Sequence, residues 1–506
     1  MKFVLPFFSI VILLLSTSSD NPSSRQVYMF NYENVLGTSF TLRVEAQTPG
    51  NAREAEKAAL NEIDRLADIL NTYDKNSEFS RWQKTLNTDE SVSPELIGIL
   101  SQFEKWQAET NGALNASIGV ATALWEKADE TNTLPGTGEL SSAVTEMYKK
   151  HWVLDEENMT ARHLTNDPLV LNTFVKSYII SKASSEVMNV NGVTSSILSI
   201  GGDMVVAGES EEKISVSDPV GFADNRKPLA TISVAGKAIA TSGNYHRGYM
   251  VGDEWFSHIL DARTASPVQN VISATVVAGD ATEAGALATA FNILTPEESI
   301  SLAEKMTDAE FLIVTKEGKT IESDGWKKLV LADEETHAIS FPVSGKSSAE
   351  AAADYELSIE FEITRFQGRS PRPYIAVWLE NEKAEPVRTL ALWFNNYRWL
   401  PDLRRWYTKH YEKAQQYDFM QMVTSATRSA GKYTLAWDGA DDSGKAVKPG
   451  TYTIYIEASR EHGTYQLLKK EIDLNKKNQR IELEGGVEIS SAVLDYHKAE
   501  KNKTVL

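Results

Sequence analysis

The chain has 506 residues, more than a single hydrophobic core usually supports, so two or more domains are expected. With 42% hydrophobic and 24% charged residues it has the composition of a globular protein and not of a disordered one. A formal net charge of −19 repels polyanions, which excludes nucleic acid and anionic membrane as main partners, and the absence of Cys excludes disulfides and cysteine-linked lipid.

Lys2, the apolar run Phe3 to Leu15 and the small residues Ser16, Thr17, Ser18 and Ser19 have the three-part layout of a secretory signal peptide. The run is too short to span a bilayer, so residues 1–19 are expected to direct export, to the periplasm or the extracellular space. Gln26 to Ala46 carries two alternating segments around Gly37, with Phe40, Leu42 and Val44 on one face, which predicts a hairpin. From Ala52 to Leu70 the residues Ala55, Ala59, Ile63, Leu66 and Leu70 recur at helical spacing, and a polar turn, Asn71 to Ser77, then leads to Phe79-Ser80-Arg81-Trp82. A second helix is predicted over Pro94 to Thr110, started by Pro and stopped at Asn111-Gly112.

Gly112 to Trp125 is rich in small residues and opens a further helix; taken alone it reads as close helix packing. The helix predicted over Thr173 to Met188 carries Lys176 near its start, where the dipole alone prefers an acid. A cation there either serves an anion bound at the same helix end or is simply solvated. Ser195 to Val206 is a β-rich run interrupted by Gly201-Gly202-Asp203, and glycines inside a strand predict a bulge or a close backbone approach. Strands at Ile214 to Val216, Leu229 to Val234, Ala238 to Thr241 and Val271 to Ala278 precede helices at Ala284 to Leu294 and Pro296 to Met306. This irregular mixture predicts an α+β domain over residues 26–335, closing near Leu331.

Within it the stretch Ala240 to Pro296 gathers a small-residue turn, Thr241-Ser242-Gly243, a lone His258-x-x-Asp261 and the Ala-rich helix start after Glu283. Small residues let backbone approach a phosphate, and helix N-termini add oriented N–H donors, so this is the candidate site.

Val343 to Asp354 is low in complexity and reads as a linker. Beyond it, residues 355–496 predict an all-β domain of immunoglobulin-like sandwich type, with alternating strands at Tyr355 to Phe366 and Tyr374 to Leu379 and an aromatic-dense segment at Trp393 to Tyr407. Tyr433 to Ser459 reads as strand, turn, strand. Its turn, Trp437 to Gly444, lacks the Asp spacing and terminal Glu of a calcium loop and is expected to close a tight hairpin.

Leu36-Gly37-Thr38-Ser39-Phe40, Tyr73 to Gln83, Gly112 to Trp125, Lys176, Gly201-Gly202-Asp203, Ala240-Thr241-Ser242-Gly243, Ser257 to Asp261 and Ala286-Leu287-Ala288-Thr289-Ala290 follow one another in an ordered set. In order and spacing the set resembles the FAD:protein FMN transferase family (ApbE type), over roughly residues 27 to 331. Trp437-Asp438-Gly439, Pro449-Gly450-Thr451-Tyr452 and Glu457 to Gly463 resemble an uncharacterised domain often fused behind such a transferase.

The resemblance implies cleavage of FAD with magnesium and transfer of FMN, through a phosphoester, to a Thr or Ser of an exported acceptor protein, with release of AMP. It implies that Lys176 contacts the phosphates and that Gly201, Gly202, Asp203, Thr241, Ser242, Gly243 and Asn115 line the FAD site. His258 is the implied base, suited to it because an imidazole titrates near neutral pH, and Thr289 a metal ligand.

The chain also departs from the family pattern. Gly285 stands where an acidic metal ligand is usual, Asn115 where an acid is usual, Ser117 for a Thr, Ser177 for the Gly after the lysine and Gln83 for an Asn. Asp280 or Glu283 is expected to supply the missing carboxylate to magnesium, and an Asp placed at 285 to tighten the metal. The alternative is an exported FAD-binding or protein-interaction module impaired in catalysis. Acceptors of the family carry a short segment that Thr424, Ala426 and Thr427 partly match, so self-modification at Thr427 is a further expectation, beside an ordinary polar loop.

Overall fold

The computed structural model describes residues 25–331 and 355–498, apart from 209, 220–227, 245–246, 307, 395–396, 415–423, 426–427, 429, 443, 461–462 and 476–477. The expected signal peptide, the linker 343–354 and Thr427 lie outside the described residues.

The helices are α1 (Pro49–Leu70), α2 (Glu78–Trp82), α3 (Pro94–Glu109), α4 (Gly119–Thr131), α5 (Thr137–Met147), α6 (Val175–Met188), α7 (Ala281–Ile293), α8 (Pro296–Ala303), α9 (Trp326–Leu329) and α10 (Arg404–Ala414). Their starts obey local chemistry. Thr48 accepts from the Asn51 amide ahead of α1, Ser93 from that of Leu96 ahead of α3, and both helices carry Pro in the first turn, where a missing N–H costs nothing. Thr295 and Glu298 close a capping box on α8.

One antiparallel sheet organises the N-terminal region, in the order Thr320–Glu322, Glu310–Thr315, Val271–Ala278, Ala238–Gly243, Asp203–Gly208, Val193–Ile200, Thr38–Ala46, Gln26–Val35 and Ser370–Pro371. Phe40, Leu42 and Val44 alternate inward and meet Ala55, Ala59, Ile63 and Leu66 of α1, as the two periodicities predict. Towards the other half of the sheet, Val206, Ile239, Val277 and Leu312 form a second cluster with Ile232 and Trp326, from the ribbon Glu212–Val216/Ala230–Val234 and from α9. The α+β reading of this region therefore holds. A satellite core around Trp125 joins α4 and α5 to the ribbon Gly248–Val251/Glu254–Ser257, and the Trp125 indole donates to the Ala265 carbonyl at 2.9 Å.

Gly201 and Gly202 do not interrupt a strand. They form the turn of a hairpin, with φ of +61° and +112°, that pairs Ile200 with Asp203. Left-handed backbone is nearly strain-free only for Gly, and two in succession reverse the chain where one would bulge it.

The C-terminal region has two sheets, Gly431–Trp437, Tyr355–Ile363, Ile489–Lys498, Gln479–Leu483 in one and Thr424–Ser425, Pro386–Trp393, Tyr374–Glu380, Thr451–Ser459, Tyr465–Asp473 in the other. Residues of both, among them Ile359, Phe361, Val377, Trp437 and Ile456, make one hydrophobic cluster. The region is not all-β. Helix α10, with Leu403 just before it, covers the outer face of the second sheet, Leu403 and Trp406 packing against Trp378, Leu392 and Tyr455. That is why Tyr374–Glu380 is buried along its whole length instead of alternating. Nor does the Trp437 to Gly444 turn close a hairpin, because the strands on either side of it belong to different sheets. A short parallel pair, Leu392 with Thr424 and Trp393 with Ser425, is a further departure from an antiparallel plan.

Candidate active site

Helix α7 is rich in small residues and buried on nearly every side, because it is wedged between the sheet and α6. The two helices touch closely at Gly285. A Cβ there would lie 3.0 Å from Ser177 Cβ and 3.4 Å from Phe174 Cβ, and would run into the Ser177 hydroxyl. One turn further on, the Thr289 hydroxyl lies 3.1 Å from the Gly285 carbonyl and 3.4 Å from that of Thr173, just before α6. Three hard oxygens thus gather at one point between the helices.

Lys176 is the second residue of α6. Burial lowers its ammonium pKa, the Arg247 guanidinium adds to that, and the Asp203 carboxylate opposes it. Among the described residues Lys176 makes no ion pair, so its charge is left for something else. Asp203, at the end of the glycine turn, accepts a 2.6 Å hydrogen bond from the Ser177 hydroxyl. The packed surroundings push its pKa up to about 6, against the pull of that hydroxyl and of Lys176, although the residue keeps some solvent exposure. Gly201 brings the turn against the second strand, its amide donating to the Ser39 carbonyl at 3.1 Å, while a Cβ would stand 3.0 Å from Thr38.

His258 follows the Gly248–Val251/Glu254–Ser257 ribbon. Its Nδ1 lies 3.0 Å from the Arg247 carbonyl. A carbonyl only accepts, so Nδ1 carries the proton and Nε2 presents its lone pair. The imidazole pKa is lowered chiefly by the protein around it, with the Arg247 charge adding to this and the hydrogen bond to the Arg247 carbonyl opposing it; the side chain still reaches solvent. Thr241, Ser242 and Gly243 end the neighbouring strand: Thr241 pairs hydroxyls with Thr275 at 2.9 Å, and Asn292 of α7 donates to the Ser242 carbonyl at 2.9 Å.

The structure therefore brings Lys176, Asp203 and His258 to one corner, His258 and Lys176 through Arg247, and sets Thr289 on the adjoining helix pair. It does not bring Asp280 or Glu283 there. Asp280 caps the N-terminus of α7, and both line a separate cavity with Gln102, Lys105, Tyr178 and Lys182, beside the middle of α6. Glu283 and Thr289 are six residues apart on one helix, roughly 9 Å along its axis, too far to share an ion. Nor does an acid at 285 fit by itself, since Ser177 occupies the space. The Asn115 side chain is consumed locally: Oδ1 accepts from the Ser117 amide at 2.9 Å and hydroxyl at 2.7 Å, and Nδ2 donates to the Met147 carbonyl at 2.9 Å.

Sequence reasoning missed Arg247, although it lies in the stretch singled out, because a surface arginine carries no local signal of its neighbours. Tyr73, which opens the Tyr73 to Gln83 segment, is 80% exposed, and its hydroxyl accepts from Asn172 Nδ2 at 2.7 Å, just ahead of α6.

An α+β domain in which a glycine turn, a helix N-terminus and a His-bearing ribbon converge on cations that make no ion pair among the described residues is the class that fold and site define. A model of the ApbE family matches residues 36–313, more than half of the chain, and the chain belongs to that family. Residues 356–491 match a second model, described as a predicted periplasmic protein (DUF2271). The FAD:protein FMN transferase of Vibrio cholerae is 26% identical over 328 residues, covering 62% of this chain and 93% of the relative. That of Escherichia coli is 23% identical over 317 residues, covering 59% and 88%. The crystal structure of the ApbE protein of Thermotoga maritima superposes with a TM-score of 0.54 at 25% identity, covering 61% of this chain and all of that one. The Pseudomonas stutzeri flavinyl transferase ApbE, at 19% identity and a TM-score of 0.52, shares the fold. Among the described residues no helix is long and apolar enough to cross a membrane.

Proposed function

We propose that the chain is an exported flavin transferase that cleaves FAD and attaches FMN through a phosphoester to a Thr or Ser of an acceptor protein, releasing AMP. The observation that carries this reading is the pairing of two cations, Lys176 and Arg247, with a histidine whose Nδ1 is committed to the Arg247 carbonyl. In a chain of net charge −19, adjacent cations without a described ion pair make a local anion site.

In the reaction the acceptor hydroxyl oxygen bonds to the phosphorus of the FMN half, the bond from that phosphorus to the AMP half breaks, and the hydroxyl proton passes to His258 Nε2. Lys176 and Arg247 hold the diphosphate, and the glycine turn admits it closely to backbone. Thr289 Oγ1 and the carbonyls of Gly285 and Thr173 are hard oxygens, a donor set suited to magnesium. Magnesium bound there would neutralise charge on the diphosphate.

Incubation of the purified chain with FAD, magnesium and an acceptor tests the reading. AMP release together with a flavin-labelled acceptor is expected. Bound FAD that is never turned over would instead support a flavin-binding module that has lost catalysis, the reading that the missing acid at Gly285 favours. Thr427, near Thr424 and Ala426, is the acceptor we assign within the chain itself, and a mass increase of one FMN on the intact protein is the expected sign.

A further inference from the structure

No group of three or more acidic or histidine side chains suited to a metal ion occurs among the described residues. A cation between α6 and α7 must then rely on neutral oxygens and at most one or two carboxylates, an arrangement magnesium accepts when waters and substrate phosphates complete its shell. Asp280 and Glu283 are directed elsewhere. Position 285, which faces α6, has no room for a side chain while Ser177 keeps its own. One carboxylate does reach the helix pair, that of Asp203, and it is held through Ser177.

Ser177 is buried, stands against Gly285 on one side, and donates to Asp203 Oδ2 at 2.6 Å on the other. The length is that of a charge-assisted bond between a hydroxyl and a carboxylate. Among the described residues Asp203 Oδ1 accepts no hydrogen bond, so one oxygen remains free. The Ser177 side chain thus links the glycine turn, which carries Asp203, to the helix that carries Gly285 and Thr289.

We propose that Ser177 is a positioning residue of the flavin site: it excludes any side chain from position 285 and, by holding Asp203, makes that carboxylate the acid on which divalent-cation binding depends. The inference rests on the transferase reading above and deepens it. Positions 177 and 285 then form one exchangeable unit. Either a hydroxyl at 177 borrows the acid from the turn, or a glycine at 177 leaves room for an acid on α7.

The test is a magnesium titration of the metal-free full-length chain, read by thermal unfolding without FAD. Ser177→Ala removes the anchor together with the hydroxyl that a side chain at 285 would meet, leaving its Cβ as the 3.0 Å contact, and should weaken magnesium by about tenfold or more, the usual effect of losing a partner that orients a ligand. Gly285→Asp alone should lower the unfolding temperature without gaining affinity. Ser177→Gly combined with Gly285→Asp should recover magnesium binding, which a purely structural role for Ser177 does not predict. Should Ser177→Ala itself unfold, Asp203→Asn provides the second route and should lose the same response. A wild-type isotherm from Ser177→Ala or Asp203→Asn, or tighter binding by the Gly285→Asp single variant, overturns the proposal. AMP release by the unaltered chain is measured separately: its absence removes the transferase reading, whereas a wild-type isotherm from Ser177→Ala removes the role of Ser177 alone.

Discussion

Arg372 Nε donates to Glu33 Oε1 at 2.7 Å, with both side chains nearly excluded from solvent, so a residue of the C-terminal region neutralises a carboxylate on the first strand of the N-terminal sheet. The same arginine reaches the Phe40 carbonyl at 3.2 Å, and Asn34 Nδ2 donates to the Phe366 and Gly368 carbonyls, each at 2.7 Å. Tyr32 and Glu33 pair with Pro371 and Ser370, covering the open edge of that sheet, which would otherwise offer unpaired amides to another chain.

Arg372→Ala takes the ion-pair partner from buried Glu33, whose Oε2 still accepts from the Ala430 amide at 3.3 Å. It should destabilise the protein by about 3–5 kcal/mol, the usual cost of stranding one charge of a buried pair. Denaturant unfolding measures it, and a loss below about 1 kcal/mol would mean that the edge is held by its backbone pairing instead.

His258 has a lowered pKa, so its neutral form dominates at pH 7. If it takes the acceptor proton, kcat/KM should rise with pH through one ionisation below the ordinary value of about 6.5 and level off above it. His258→Ala should cut turnover by about two orders of magnitude or more while leaving FAD affinity near wild type. An acid limb that survives in the alanine variant would assign the ionisation to another group.

Lys176→Ala should act in the opposite way, weakening FAD binding more than turnover of the bound complex. The wild-type affinity should fall as salt rises, because part of it is the attraction of Lys176 and Arg247 for phosphate, and the variant should be less sensitive. Equal salt slopes in the two proteins would remove Lys176 from the ligand.

Asn115→Ala breaks a cap and leaves the Ser117 amide without its acceptor, while the Ser117 hydroxyl keeps the Met147 carbonyl at 3.0 Å. A stability loss of about 1–2 kcal/mol is expected, with FAD affinity unchanged. A variant of normal stability and lost FAD affinity would return Asn115 to the cofactor site.

Elements whose causes lie within a few residues were legible in the chain. Phe40, Leu42 and Val44 show period two, Ala55 to Leu70 the helical period, and Pro94 after Ser93 a helix start; each rests on local backbone geometry, which needs no distant partner. Helix α10 was hidden by its aromatic neighbours, although Leu403, Trp406 and His410 are buried at helical spacing. What the tertiary structure decided was which charges meet. Lys176, Asp203 and Arg247 come from three separate segments, and their mutual effects exist only once α6, the glycine turn and the ribbon converge. The missing acid at 285 is the clearest case. Read along the chain, Gly285 is a lost ligand that a nearby Asp280 or Glu283 should replace. In the fold those two line a separate cavity with Gln102, Lys105 and Lys182, Ser177 fills the space at 285, and the carboxylate that Ser177 holds is that of Asp203. Sequence carries period and capping because these are short-ranged; steric exclusion between two helices depends on side chains far apart in the chain, and only packing brings them into contact.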